Sequence, residues 1–211
     1  MNQAIDSAAG FCPVFVLPGA LNARAEAIGA ELVSHLLDAG PAQPRPAAVM
    51  AIDGDGFVDM RESIIDAVTA ASGRNEPQAA LRQAYQDRTG ALRRHADVSL
   101  IAEGVLADGR LQALFFETDA AAVLALPALA AAASAACGPA GLLVRCRDDD
   151  EYLQLAQCLP RCAAICLQVE GGDDALGARL ATPLMALDAP ILCNRFPPLL
   201  PMPLTPPHVP T

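Results

Sequence analysis

The chain has 211 residues and a formal net charge of −10, and all 14 of its basic residues are arginine. That length suits one domain with a substantial core. The negative balance argues against broad nucleic-acid binding, which needs a basic face. The absence of lysine excludes Schiff-base and pyridoxal-phosphate chemistry on a side chain.

Hydrophobic residues make up 53% and aromatics only 4%, with no Trp, so the core must be built from Ala, Leu and Val. Met1 to Ala9 has no basic run and contains Asp6, so no signal peptide is expected there. Seven cysteines without an export signal point to reduced thiols and a cytoplasmic protein. Cys158, Cys162 and Cys166 recur every four residues, a spacing that fits no zinc motif; they read as small buried hydrophobes.

In chain order, Phe11 to Leu17 reads as an apolar strand, Pro18 to Ala23 as a turn and Arg24 to Leu37 as an amphipathic helix. Pro41 to Pro46 is a connector, and Ala47 to Ile52 is a strand buried on both faces. Asp53-Gly54-Asp55-Gly56 closes it, and Met60 to Ala71 is helical. Gln78 to His95 is a helix whose arginines, Arg82, Arg88, Arg93 and Arg94, read as a solvated face. Val98 to Ala102 is a strand ending in Glu103-Gly104, and Leu111 to Phe116 a short strand or edge hairpin.

Ala120 to Val144 carries no charge and is long enough to span a bilayer. Its alanine content and its breaks at Pro127 and Gly138-Pro139 instead predict a buried helix over 120–136, with Val123, Leu124, Leu126 and Leu129 as its large apolar groups, then a strand over 141–144. Asp150 to Cys158 and Asp174 to Leu187 are helices, the latter broken at Pro183. Ala163 to Val169 and Ala189 to Cys193 are strands. After Phe196 prolines dominate, seven of them in 197–211, which predicts an unpacked tail and a single domain over 1–196.

Short apolar strands alternating with helices predict an α/β fold, a mostly parallel sheet with helices on both faces in three layers. Ligands bind such sheets beyond the carboxyl ends of the strands. Asp53, Asp55 and Glu103 are the candidate catalytic carboxylates there, with Asp53 and Glu103 as possible Mg²⁺ ligands. His35 lies mid-helix, His95 sits near a helix end where a favourable dipole interaction explains it, and His208 lies in the tail.

The order of elements resembles the P-loop class that holds dethiobiotin synthetase, the cobyrinate amidases and the ParA/MinD partition ATPases. Val14 to Gly40 is similar to the first strand, phosphate loop and helix of that class. Asp53-Gly54-Asp55 resembles its second-strand aspartate segment, and Ala96 to Val105 is similar to the strand of dethiobiotin synthetase whose glutamate helps to bind Mg²⁺. A P-loop needs G-x-x-x-x-G-K-[ST], whereas Gly19 to Glu26 lacks the second glycine, the lysine and the hydroxyl.

Gly19, Asn22 and Arg24 would then be remnants of a nucleotide site. The resemblance implies a P-loop-like pseudo-ATPase acting as a binding, scaffolding or regulatory subunit, with a protein partner or as a homodimer, and with no membrane span. The alternative it leaves is a small-molecule enzyme, an ATP- or metal-dependent ligase or synthetase, using Asp53, Asp55 and Glu103.

Overall fold

The computed structural model describes residues 10–39, 43–76, 78–135 and 138–198. The expectations for the N-terminus, the start of the proline connector and the tail from 199 onward lie outside these residues.

Six of seven strands in the main sheet run parallel. β1 (Phe11–Val16), β2 (Arg45–Ile52), β6 (Leu114–Asp119), β7 (Ala140–Cys146), β8 (Ile165–Gln168) and β9 (Ile191–Cys193) share one direction, and β4 (Ser99–Glu103) runs against them at the edge. The order across the sheet is β4-β6-β7-β2-β1-β8-β9. β3 (Arg74–Asn75) and β5 (Arg110–Leu111) form a separate antiparallel pair. Every residue of β1 is buried, as the unbroken apolar run requires of a strand covered on both faces.

Right-handed crossovers decide the layers. The step from β1 to β2 runs one way along the sheet; the steps β6 to β7, β7 to β8 and β8 to β9 run the other way. So α1 (Pro18–Asp38), with α2 (Asp55–Ala70) packed on it, covers one face. The helices α4 (Ala120–Ala125), α5 (Ala128–Ala135), α6 (Asp149–Cys158) and α7 (Asp174–Met185) lie on the other. α3 (Ala79–Arg94) packs against α5 and β5.

Several local readings change. There is no turn over 18–23: α1 starts at Pro18, because proline at the first helical position loses no hydrogen bond. The irregularity falls inside the helix, where Arg24 has φ −144° and ψ 22°. Of the two readings of Leu111 to Phe116, a short strand or an edge hairpin, the strand holds: β6 lies inside the sheet next to the edge strand β4, with Phe115 and Phe116 fully buried. Pro127 divides the alanine-rich helix into α4 and α5; Val123 and Leu129 are buried, but Leu126, at the junction, is 47% exposed.

Pro183 does not break α7: it lies in the last turn, and the helix runs only two residues further, to Met185. Phe196, the last residue of the expected domain, is buried with its ring 5.0 Å from that of His35. No described helix is long and apolar enough to cross a membrane.

Candidate functional site

The chain leaves β1 over one face of the sheet and leaves its neighbour β8 over the other. The crevice between their carboxyl ends is where an open α/β sheet binds ligands. It also holds the N-terminus of α1, whose free N–H groups favour an anion.

The protein supplies that anion itself. Asp173 Oδ1 accepts from Gly19 N at 2.7 Å, and Oδ2 accepts from Ala20 N at 3.2 Å and from Glu170 N at 2.8 Å. Asp173 is only 5% exposed. It stands at the N-cap of α7 but makes no cap bond to its own helix; its carboxylate crosses to α1 instead. Gly172, at φ 97°, gives the loop the left-handed turn that this reach requires. Gly19 has no side chain for a related reason: a Cβ there would lie 2.8 Å from the Asp173 carboxylate.

Around this carboxylate Arg24 and Asn194 tie the loops after β8 and β9 together. Arg24 Nη2 donates to Asn194 Oδ1 at 2.9 Å and to the Val169 carbonyl at 3.2 Å, and Nε lies 3.3 Å from Glu170 Oε2. Asn194 Oδ1 also accepts from Val169 N at 2.8 Å. The kink at Arg24 turns its side chain away from the helix end and toward β8 and β9. Gly19 and Arg24 therefore tie the crevice shut, and Asn22 is exposed beyond it. The Gly19 and Ala20 N–H groups at the end of α1, which an anion would use, are thus taken by Asp173.

The three candidate carboxylates do not share a site. Asp53 follows β2, with its amide on the Cys146 carbonyl at 2.8 Å and its own Oδ1 on Gly54 N at 3.1 Å. Asp55 opens α2 in the same neighbourhood. Glu103 ends β4, but β4 is antiparallel, so Glu103 pairs with Leu114 at the start of β6. It stands on the edge strand at the amino ends of the parallel strands, whereas Asp53 follows the carboxyl end of the central strand β2, and it is held by Arg93 at 2.7 Å. A Mg²⁺ ion cannot be shared by Asp53 and Glu103. Among the described residues, no group of three His, Cys, Asp or Glu is placed to hold a metal ion.

At four cysteines the surroundings favour the thiol over the thiolate. Contact with Cys166, whose Sγ lies 3.4 Å away, and burial push the Cys12 thiol up. Burial likewise raises Cys146 and Cys158, and Cys162 up to about 11. A nucleophilic cysteine needs the reverse, a lowered value that favours thiolate.

Asp173, the residue that decides the crevice, is not among the sequence candidates. Its one signal was Gly171-Gly172 before a helix, which reads as an ordinary helix start and does not reveal the contact with Gly19, far away in sequence.

No family model matches the chain. It is 31% identical over 188 residues to alpha-ketoglutaric semialdehyde dehydrogenase 2 of Azospirillum brasilense, an alignment that covers 88% of this chain and 35% of that protein. Among solved structures, Delta-pyrroline-5-carboxylate dehydrogenase of Mycobacterium tuberculosis superposes with a TM-score of 0.72 at 12% identity, over 90% of this chain and 36% of that one. Betaine aldehyde dehydrogenase of Staphylococcus aureus, solved with NAD⁺, gives 0.64 at 13% identity, over 89% and 38%. A putative aldehyde dehydrogenase of Burkholderia cenocepacia gives 0.64 at 19%, over 88% and 39%.

The chain thus spans little more than a third of the proteins it matches. These likenesses overturn the resemblance to the P-loop class, and with it the pseudo-ATPase and the ligase or synthetase readings. The fold is that of a segment of the aldehyde dehydrogenases.

Proposed function

We propose that the chain is a domain of an aldehyde-dehydrogenase-type enzyme, acting on the aldehyde side of a nicotinamide-dependent oxidation of a semialdehyde. The observation that carries this reading is the 31% identity with a semialdehyde dehydrogenase across 88% of this chain. The dinucleotide is then held outside the described residues. The crevice at β1 and β8 supports that division, because Asp173 fills the helix end where a pyrophosphate would lie. A chain without lysine also offers no ε-amine to trap an aldehyde as a Schiff base.

The test is ligand-dependent thermal stability, since a ligand that binds only the native state raises the melting temperature. α-Ketoglutaric semialdehyde at millimolar concentration is expected to raise it, and NAD⁺ is expected to leave it unchanged. A shift with NAD⁺ alone would overturn the division of labour. No shift with the semialdehyde would overturn the aldehyde reading for this chain.

A further inference from the structure

Far from the crevice, the arginines of α3 meet the loop that carries β5. Arg82, Arg93 and Arg110 line a cavity of about 230 Å³ with Tyr85, Gln86, Thr89 and Gln112, and no carboxylate lines it. This is a local excess of positive charge in a chain whose formal balance is −10. We propose that this cavity binds a compact dianion, either a phosphate or a short dicarboxylate. The inference stands apart from the proposed enzymatic role and uses none of the same residues.

The geometry gives each guanidinium an anchor and leaves it donors to spare. Arg110 Nη2 donates to the Gly73 carbonyl at 2.9 Å, Arg82 donates to the Glu76 carbonyl, and Arg93 Nη2 reaches Glu103 at 2.7 Å. A guanidinium has five N–H donors, so anchoring orients each one without exhausting it. Only Arg93 has its charge paired, and Glu76 points its carboxylate at Gln78 N instead.

The floor is fixed: Tyr85 is buried and its hydroxyl donates to the Gln112 carbonyl at 2.6 Å, while Gln112 Nε2 donates to the Gly104 carbonyl at 2.7 Å. A space of about 230 Å³ holds several waters, enough for phosphate or a four-carbon dicarboxylate. Leu106, 75% exposed, stands at the rim with Leu111 and Leu114 deeper in the wall, and together they add an apolar side that a dicarboxylate's methylenes would meet.

The experiment compares inorganic phosphate and succinate, each against sodium chloride at matched ionic strength, by melting temperature and calorimetric titration. One or both dianions should raise the melting temperature by about 2–4 °C near saturation; which of them acts identifies the source. The Arg82→Gln/Arg110→Gln protein should lose the shift, and Arg161→Gln, an exposed arginine outside the cavity, should keep it. If the double variant fails to fold, Arg110→Gln alone, at an exposed position, should weaken binding by about tenfold. No shift with either dianion, or a shift that survives the loss of Arg110, would overturn the proposal.

Discussion

Two helix N-termini solve the same electrostatic problem in different ways. At α6, Asp148 accepts from Glu151 N at 2.9 Å, and Glu151 accepts from Arg147 N at 2.7 Å and from the Arg147 guanidinium at 2.8 and 3.0 Å. All three residues lie within five positions, a relative of the capping box. At α1 no residue of the helix or its entry caps the end; the carboxylate comes from Asp173, which lies 154 residues beyond Gly19. The local cap fixes one helix. The distant one fixes a helix, the loop after β8 and the crevice between two strands, so more structure depends on it.

That difference predicts a ranking. Asp173→Ala should be the most damaging change, because three backbone N–H groups, two of them on α1, lose their acceptor in a buried place. Buried donors left unpaired cost about 1–3 kcal/mol each. A total of about 3–5 kcal/mol is expected, a large part of an ordinary stability of about 5–15 kcal/mol. Thermal unfolding should show a drop of roughly 6–20 °C for a domain of this size. A drop of only a degree or two would mean that water serves the helix end as well as Asp173 does.

Glu151→Gln should cost less, about 1 kcal/mol, because the amide can still accept a hydrogen bond and the Arg147 side chain is mostly in solvent, where screening weakens the pair. Its distinguishing mark is pH dependence. Hydrogen bonding from Arg147 holds the Glu151 carboxyl below its usual range. A carboxyl lowered on folding contributes stability that is fully present above its unfolded pKa, about 4.3, and is lost as pH falls through the lower folded value. Wild-type stability should therefore fall more steeply below about pH 4.3 than that of Glu151→Gln, and the two curves should converge in acid. Parallel curves in that window would show that the charge of Glu151 is not what Arg147 recognises.

The same contrast explains what the sequence shows. The alternation of apolar runs with helices identifies a parallel α/β sheet because burial on both faces leaves a continuous hydrophobic signature, as in Phe11 to Leu17 and Ala47 to Ile52. The start of α6 is legible within two residues because Asp148 and its partners are neighbours. What sequence order does not carry is spatial adjacency. Asp173 and Gly19 meet only because β8 lies beside β1, and Asp53 and Glu103 separate only because β4 is antiparallel. The arginines of α3 read as a solvated face because nothing local shows that Arg110 will return from the loop after β4 to join them. The P-loop resemblance arose in the same way. It matched a linear order of strand, glycine turn and helix, whereas the glycine serves Asp173 and no phosphate.

α2 has a weaker end than α1 or α6 and should respond least. Gly54 at its N-cap has no side chain to offer, and Asp55 is exposed in the first turn. An exposed carboxylate there acts on the helix dipole across solvent, an effect of about 0.3–1 kcal/mol at low salt. Asp55→Asn should cost about 0.5 kcal/mol in dilute buffer. The cost should shrink in 1 M sodium chloride, where the screening length falls to about 3 Å. Chemical denaturation with urea at two salt concentrations resolves the difference, because urea adds no ions. A ligand role for Asp55 would behave differently: Mg²⁺ would stabilise the wild type and the stabilisation would vanish in Asp55→Asn. A salt-sensitive loss with no response to Mg²⁺ would assign Asp55 to the helix alone. It would also complete the ranking, in which a carboxylate matters more the deeper it lies and the more distant the elements it joins.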